Sequence, residues 1–137
     1  MAAYQVLGKN QAVERPIGWH VWQVTFTSLA TDEDPAVTLA TLPIGTVILD
    51  AKAIVVVADT ASTSSAGVVT VGDESVLTIS DVKAAATVTA GTAAEIVDAT
   101  QDGIAAAQDV VLTLTRTGTV TTLPTILIAI LCGRLES

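Results

Sequence analysis

The sequence predicts an all-β fold, an antiparallel β-sandwich of jelly-roll-like character. Short segments rich in Val, Thr, Ile and Leu recur along the chain, separated by clusters of Pro, Gly and Asp. Helical periodicity never runs beyond two turns, and the strand-like segments do not alternate with helices. That pattern argues against a parallel α/β sheet and for short strands joined by turns. A single domain is expected, because 137 residues are enough to bury one core without staples.

Residues 1–18 read as an extended polar arm, closed off by Pro16 and Gly18. Residues 19–137 then form the sandwich. The first strand is predicted at 19–29, where branching at Cβ and aromatic rings suit a pleated surface better than a helix. Along it Trp22, Val24 and Phe26 share one face, and Gln23, Thr25 and Thr27 share the other. Thr31-Asp32-Glu33-Asp34-Pro35 is an acidic turn through which Pro35 prevents a helix from continuing. A strand at 37–42 follows, then a break at Leu42-Pro43-Ile44-Gly45 and a long strand at 46–58. Its alternating start gives way to Ile54-Val55-Val56-Val57, apolar on both faces, as expected of a strand covered on both sides in a sandwich or at an interface.

Residues 59–66 read as a small-polar loop, and strands are expected at 67–72 and 75–79 around a tight turn at 72–74. Asp81 followed by Ala84, Ala85 and Ala86 predicts one short helix at 81–86, with Asp81 as its cap. Residues 93–97 and 103–107 fit strand or loop. Alternation resumes at 109–117, and Arg116-Thr117-Gly118-Thr119 reads as a turn. Pro124 precedes a last apolar strand at 126–131.

Composition narrows the function. Half of the residues are hydrophobic, 3% aromatic and 15% charged, and the mean hydropathy of +0.62 is that of a folded chain. Six basic residues against fourteen acidic ones leave a net charge of −8. Such a chain repels a phosphate backbone, so no nucleic-acid partner is expected. The longest uncharged apolar run, 126–132, falls far short of the about 20 residues that cross a bilayer. The first ten residues lack the pattern of a secretory signal, so synthesis in a cytoplasm is expected.

Reactive groups are sparse. The one His and one Cys exclude a Cys/His zinc framework and an internal disulfide. His20 lies within a strand, where a surface or interface role outweighs general-base or ligand chemistry. Cys132 sits in an apolar run, a setting for a buried, inert sulfur. Asp32-Glu33-Asp34 lacks calcium-loop spacing and reads as a solvated turn. Gly67 and Gly72 do not have the spacing of a phosphate-binding loop. No catalytic set, metal or cofactor is expected, and the protein is not read as an enzyme.

One ordering of segments resembles a known group. Leu42-Pro43-Ile44-Gly45-Thr46-Val47-Ile48-Leu49-Asp50-Ala51 leads through 54–57 to Gly67-Val68-Val69-Thr70-Val71-Gly72-Asp73-Glu74. Asp81-Val82, then Val111-Leu112-Thr113-Leu114-Thr115-Arg116-Thr117-Gly118-Thr119, and a final apolar strand complete it. Over residues 37–131 this resembles the small β-sandwich virion proteins of tailed bacteriophages, above all capsid decoration (cement, head auxiliary) proteins. The resemblance implies a homotrimer on the capsid exterior that bridges major capsid protein subunits and stabilises their lattice. It also implies synthesis in the cytoplasm of a bacterial host. Aromatic residues are scarcer after residue 73 than in that group, and residues 88–107 are richer in alanine.

A cement protein works by adhesive area rather than by a reactive group. Trp19, Trp22 and Phe26 concentrate the aromatic content just after the arm. Tyr4, Arg15, Trp19, His20 and Trp22 are therefore the candidate capsid or inter-subunit contacts, with a place in the core as the competing role of Trp22 and Phe26. The alternative function is a head-fibre, tail or receptor- or carbohydrate-binding β-sandwich module.

Overall fold

The computed structural model describes residues 2–7, 17–72, 74–83, 86–89 and 107–134. Among these, nine strands form: β1 (Ala3–Leu7), β2 (Ile17–Ser28), β3 (Ala36–Leu42), β4 (Thr46–Val57), β5 (Thr60–Val71), β6 (Glu74–Ile79), β7 (Ala86–Thr89), β8 (Gln108–Thr122) and β9 (Thr125–Arg134). They make a five-stranded sheet in the order β1-β2-β9-β4-β7 and a four-stranded sheet in the order β3-β8-β5-β6. Every pairing is antiparallel. The pairs β2–β9, β3–β8, β4–β7 and β5–β6 are nested one inside the next. The chain from β2 to β9 thus behaves as one long hairpin wound across two sheets, which is jelly-roll connectivity. β1 is added outside β2.

The core follows from period-two alternation. Trp22, Val24 and Phe26 of β2 point inward with Ile126, Ile128 and Ile130 of β9, and Ile48, Ala51, Ala53 and Val55 of β4. They meet Leu39 and Leu42 of β3, Leu112 and Leu114 of β8, Val69 of β5 and Leu77 and Ile79 of β6. In register, Trp22 lies beside Ile128 and Ile128 beside Ala53, so the largest ring is followed across the sheet by a small side chain. Each fully buried aliphatic side chain contributes roughly 1.5–3 kcal/mol.

Four expectations are corrected. The helix expected at 81–86 is absent among the described residues: 81–83 form a bend and β7 begins at Ala86. The Val82 amide donates to the Ser65 carbonyl and the Val82 carbonyl accepts from Asp59, so its backbone is engaged by the sheet instead. The Asp81 carboxylate accepts from the Lys83 amide, closing a local turn. The loop expected at 59–66 is the first half of β5, paired with β8 through its small hydroxyl residues. The turn expected at 116–119 lies inside β8, where Gly118, at φ 95°, marks an irregularity in the pairing. Finally, residues 3–7 of the expected arm are an edge strand paired with β2. Residues 8–16, 93–97 and 103–106 lie outside the described residues.

Arg116 explains why β8 does not turn there. Its side chain is buried, and its Nε donates to Asp59 Oδ2 at 2.6 Å. Its Nη1 donates to the carbonyls of Ala30 and Glu33, at 3.4 and 3.2 Å. Asp59 is fully buried at the corner where the chain leaves β4 for β5. The acidic turn closes over the same place. Asp34 Oδ1 accepts from the Arg116 amide, Asp32 Oδ1 from the Gly118 amide and Glu33 Oε1 from the Ala30 amide. The Ala30 amide holds the Glu33 carboxyl below its ordinary pKa. Asp32 and Asp34 are thus backbone clamps that fasten the β2–β3 connection onto β8, and Glu33 closes the turn within that connection.

Removing one partner of a buried ion pair strands the other without water or counter-charge. Arg116→Ala is expected to lower stability by about 3–5 kcal/mol in urea unfolding, and Arg116→Lys to restore little, because a single ammonium cannot reproduce the guanidinium fork.

Candidate binding face

The two sheets differ on their outer sides. Among the described residues nine large hydrophobic side chains are exposed: Tyr4, Leu7, Trp19, Val21, Ile44, Leu49, Ile54, Val56 and Val57. All but Ile44, which sits in the β3–β4 connection, belong to β1, β2 or β4 of the five-stranded sheet. The outer side of the four-stranded sheet carries exposed Thr38, Thr41, Ser64, Thr78, Thr115 and Thr117 instead. There the hydroxyls engage each other or a carboxylate, as in Ser64 with Thr117 at 2.7 Å and Thr41 donating to Asp109 at 2.6 Å.

Register makes the apolar residues neighbours. Trp19 pairs with Leu131, Val21 with Ala129 and Gln23 with Leu127 on β9. Across β9, Leu131 pairs with Asp50, Ala129 with Lys52 and Leu127 with Ile54. Leu127, Ala129 and Leu131 are partly exposed, so apolar surface passes from Trp19 and Val21 on β2 onto β9 and, through Leu127, to Ile54 on β4, with Gln23, Asp50 and Lys52 closing the ends of the three rows. A sheet that lies against solvent is ordinarily polar on that side. Here the central strand β9 is apolar on both.

Charge on this face is small, and among the described side chains it sums to zero. Among the described side chains of the five-stranded sheet, Asp50 and Lys52 are the acidic and basic ones. The Lys52 ammonium lies 5.4 Å from the Trp19 ring centroid, reaching over the β9 position held by Ala129. Asp50 Oδ1 accepts from the Ala51 amide.

The residues singled out from sequence separate across the sheet. Trp19 is on the outer face, 45% exposed. Tyr4 on the edge strand is 39% exposed and meets Phe26 edge-on, with centroids 6.1 Å apart. His20 is half-buried and stacks on Trp22 at 6.1 Å. Trp22 is 1% exposed, so it fills the core and cannot serve as a contact. Arg15 lies outside the described residues. Sequence reading did not single out Leu7, Val21, Leu49, Lys52 or Ile54. The doubly apolar run at 54–57 was the signal for Ile54 alone: Val55 points inward, while Ile54, Val56 and Val57 are exposed in the single chain. Among the described residues no group of three or more His, Cys, Asp and Glu could hold a metal ion.

Comparison with protein-family models, with curated proteins and with solved structures finds no match to this chain.

Cys132 is buried within β9, and burial pushes its thiol from an ordinary value near 9.0 up to about 11. Between those values the unfolded chain releases a proton that the folded chain keeps. The Cys132 contribution to stability is therefore expected to be constant below about pH 9 and to fall by about 2–3 kcal/mol as pH rises towards 11. Cys132→Ala should flatten that decline in urea midpoints, and the native thiol should resist iodoacetamide at pH 8 until the chain is unfolded.

Proposed function

We propose that this chain is a structural virion protein that binds the exterior of a tailed-phage capsid as a homotrimer and cements the major capsid protein lattice. The observation that carries the reading is the concentration of exposed apolar side chains on the five-stranded sheet, which among the described residues holds all the large ones but Ile44. Contiguous apolar surface beyond a few hundred Å² is uncommon on a monomer and marks an association surface. The jelly-roll connectivity agrees with the segment order on which the resemblance to decoration proteins rests. In this reading the protein is made in the host bacterial cytoplasm and acts by adhesion, with no catalysis and no cofactor.

Cementing follows from linkage. A protein that binds the mature lattice and not its disassembled subunits stabilises it by an amount set by its free concentration over its dissociation constant. In a trimer the second and third contacts become intramolecular once the first has formed, so weak contacts suffice. The net charge of −8 keeps the free protein soluble and away from packaged DNA.

Purified protein mixed with undecorated heads should bind saturably, in multiples of three copies, and raise the temperature at which heads release DNA. Absence of binding, with the protein itself folded, would overturn the capsid reading in favour of a fibre or tail role.

A further inference from the structure

We propose that the outer side of the five-stranded sheet is where copies of this chain meet one another, and that other surfaces meet the capsid lattice. The inference deepens the oligomeric part of the reading above and rests on it for the assembly being a decoration trimer.

Charge is the first argument. At −8 net charge, two identical copies repel unless they touch where carboxylates are few. The described acidic groups concentrate elsewhere: Asp32, Glu33 and Asp34 in the β2–β3 connection, Glu74 on β6, Asp81 beyond it and Asp109 on β8. On the five-stranded sheet, Lys52 lies over Trp19 and Asp50 accepts from its neighbour's amide. The two charges are opposite in sign and sum to zero, so the same face of a second copy meets no net repulsion there. A face evolved for a foreign partner has no need to be self-neutral.

Extent is the second argument. A half-exposed large side chain offers on the order of 90 Å². Leaving out Ile44 in the β3–β4 connection and Tyr4, which pairs with the inward Phe26, the exposed apolar set of this sheet presents on the order of 600 Å², the low end of the share one partner gives to a stable interface. Trp19, Val21 and Ile54 ring the partly covered Leu127, Ala129 and Leu131. This is the arrangement of an interface centre, aromatic and aliphatic with charge at a minimum.

The test compares two double variants by light scattering after size exclusion. Val21→Glu with Ile54→Glu places like charges on the proposed seam; Thr38→Glu with Thr115→Glu places them on the opposite sheet. All four side chains are exposed, so the protomer core is untouched. The seam variant should fall to the 13.9 kDa of a single chain with its circular dichroism retained, while the other keeps the native oligomer mass. Should the seam variant fail to fold, Val21→Cys and Thr115→Cys replace it. The first should resist maleimide in the native assembly and the second should react at once, Cys132 being buried in both.

A native protein that is monomeric at tens of micromolar, a seam variant with unchanged mass, or prompt labelling of Val21→Cys would each overturn the inference. If the seam variant keeps its mass yet loses undecorated heads, the sheet faces the lattice: the inference falls and the cementing reading stands. If native protein is an oligomer broken by the seam variant but ignores heads, the inference holds and the cementing reading falls.

Discussion

The buried pair between Arg116 and Asp59 is the constraint around which this sandwich closes. Arg116 belongs to the four-stranded sheet, Asp59 to the corner leaving β4, and the carbonyls of Ala30 and Glu33 to the connection from β2 to β3. Two of the crossings between sheets are therefore tied to one guanidinium. A charge taken out of water is tolerable when its hydrogen bonds are met, and here Nε and Nη1 both find oxygen. Such a pair gives little net stability compared with apolar packing. Its effect is on geometry: it requires β8 to run straight past Gly118 and the acidic turn to lie down on it.

With the ends of the sandwich held in this way, alternation decides the rest. Inward positions carry Ile, Leu, Val and one large ring, and outward positions divide by sheet. One outer surface is covered by hydroxyls that satisfy each other. The other is aliphatic with one exposed indole beneath an ammonium. Hydroxyls stay at ease in water, whereas the aliphatic face gains about 25 cal/mol for each Å² it removes from solvent. That difference gives the molecule a direction, and it is the physical basis of the adhesive role proposed above.

How much of this was legible depends on range. The core face of β2 could be read directly, because Trp22, Val24 and Phe26 repeat at period two. The run at 54–57 declared a strand with apolar residues on both sides, and the structure leaves its outer side uncovered in the single chain. Arg116 was misread because Thr-Gly-Thr looks like a turn locally; its partner Asp59 is fifty-seven residues away, and no local pattern links them. The helix expected at 81–86 failed for the same reason. Good caps and alanines favour a helical turn by about 1 kcal/mol, less than the two backbone hydrogen bonds that Val82 makes to Asp59 and Ser65.

By itself, then, the sequence determined the fold class, the inward face of most strands and the lack of a metal or nucleotide motif. These depend on periodicity and spacing, which are properties of neighbours along the chain. Tertiary structure alone decided that Asp32 and Asp34 clamp β8 and that Val21, Ile54 and Leu127 lie on one continuous surface. Those outcomes depend on which strands pair and in which register, and nested pairing brings together residues a hundred positions apart.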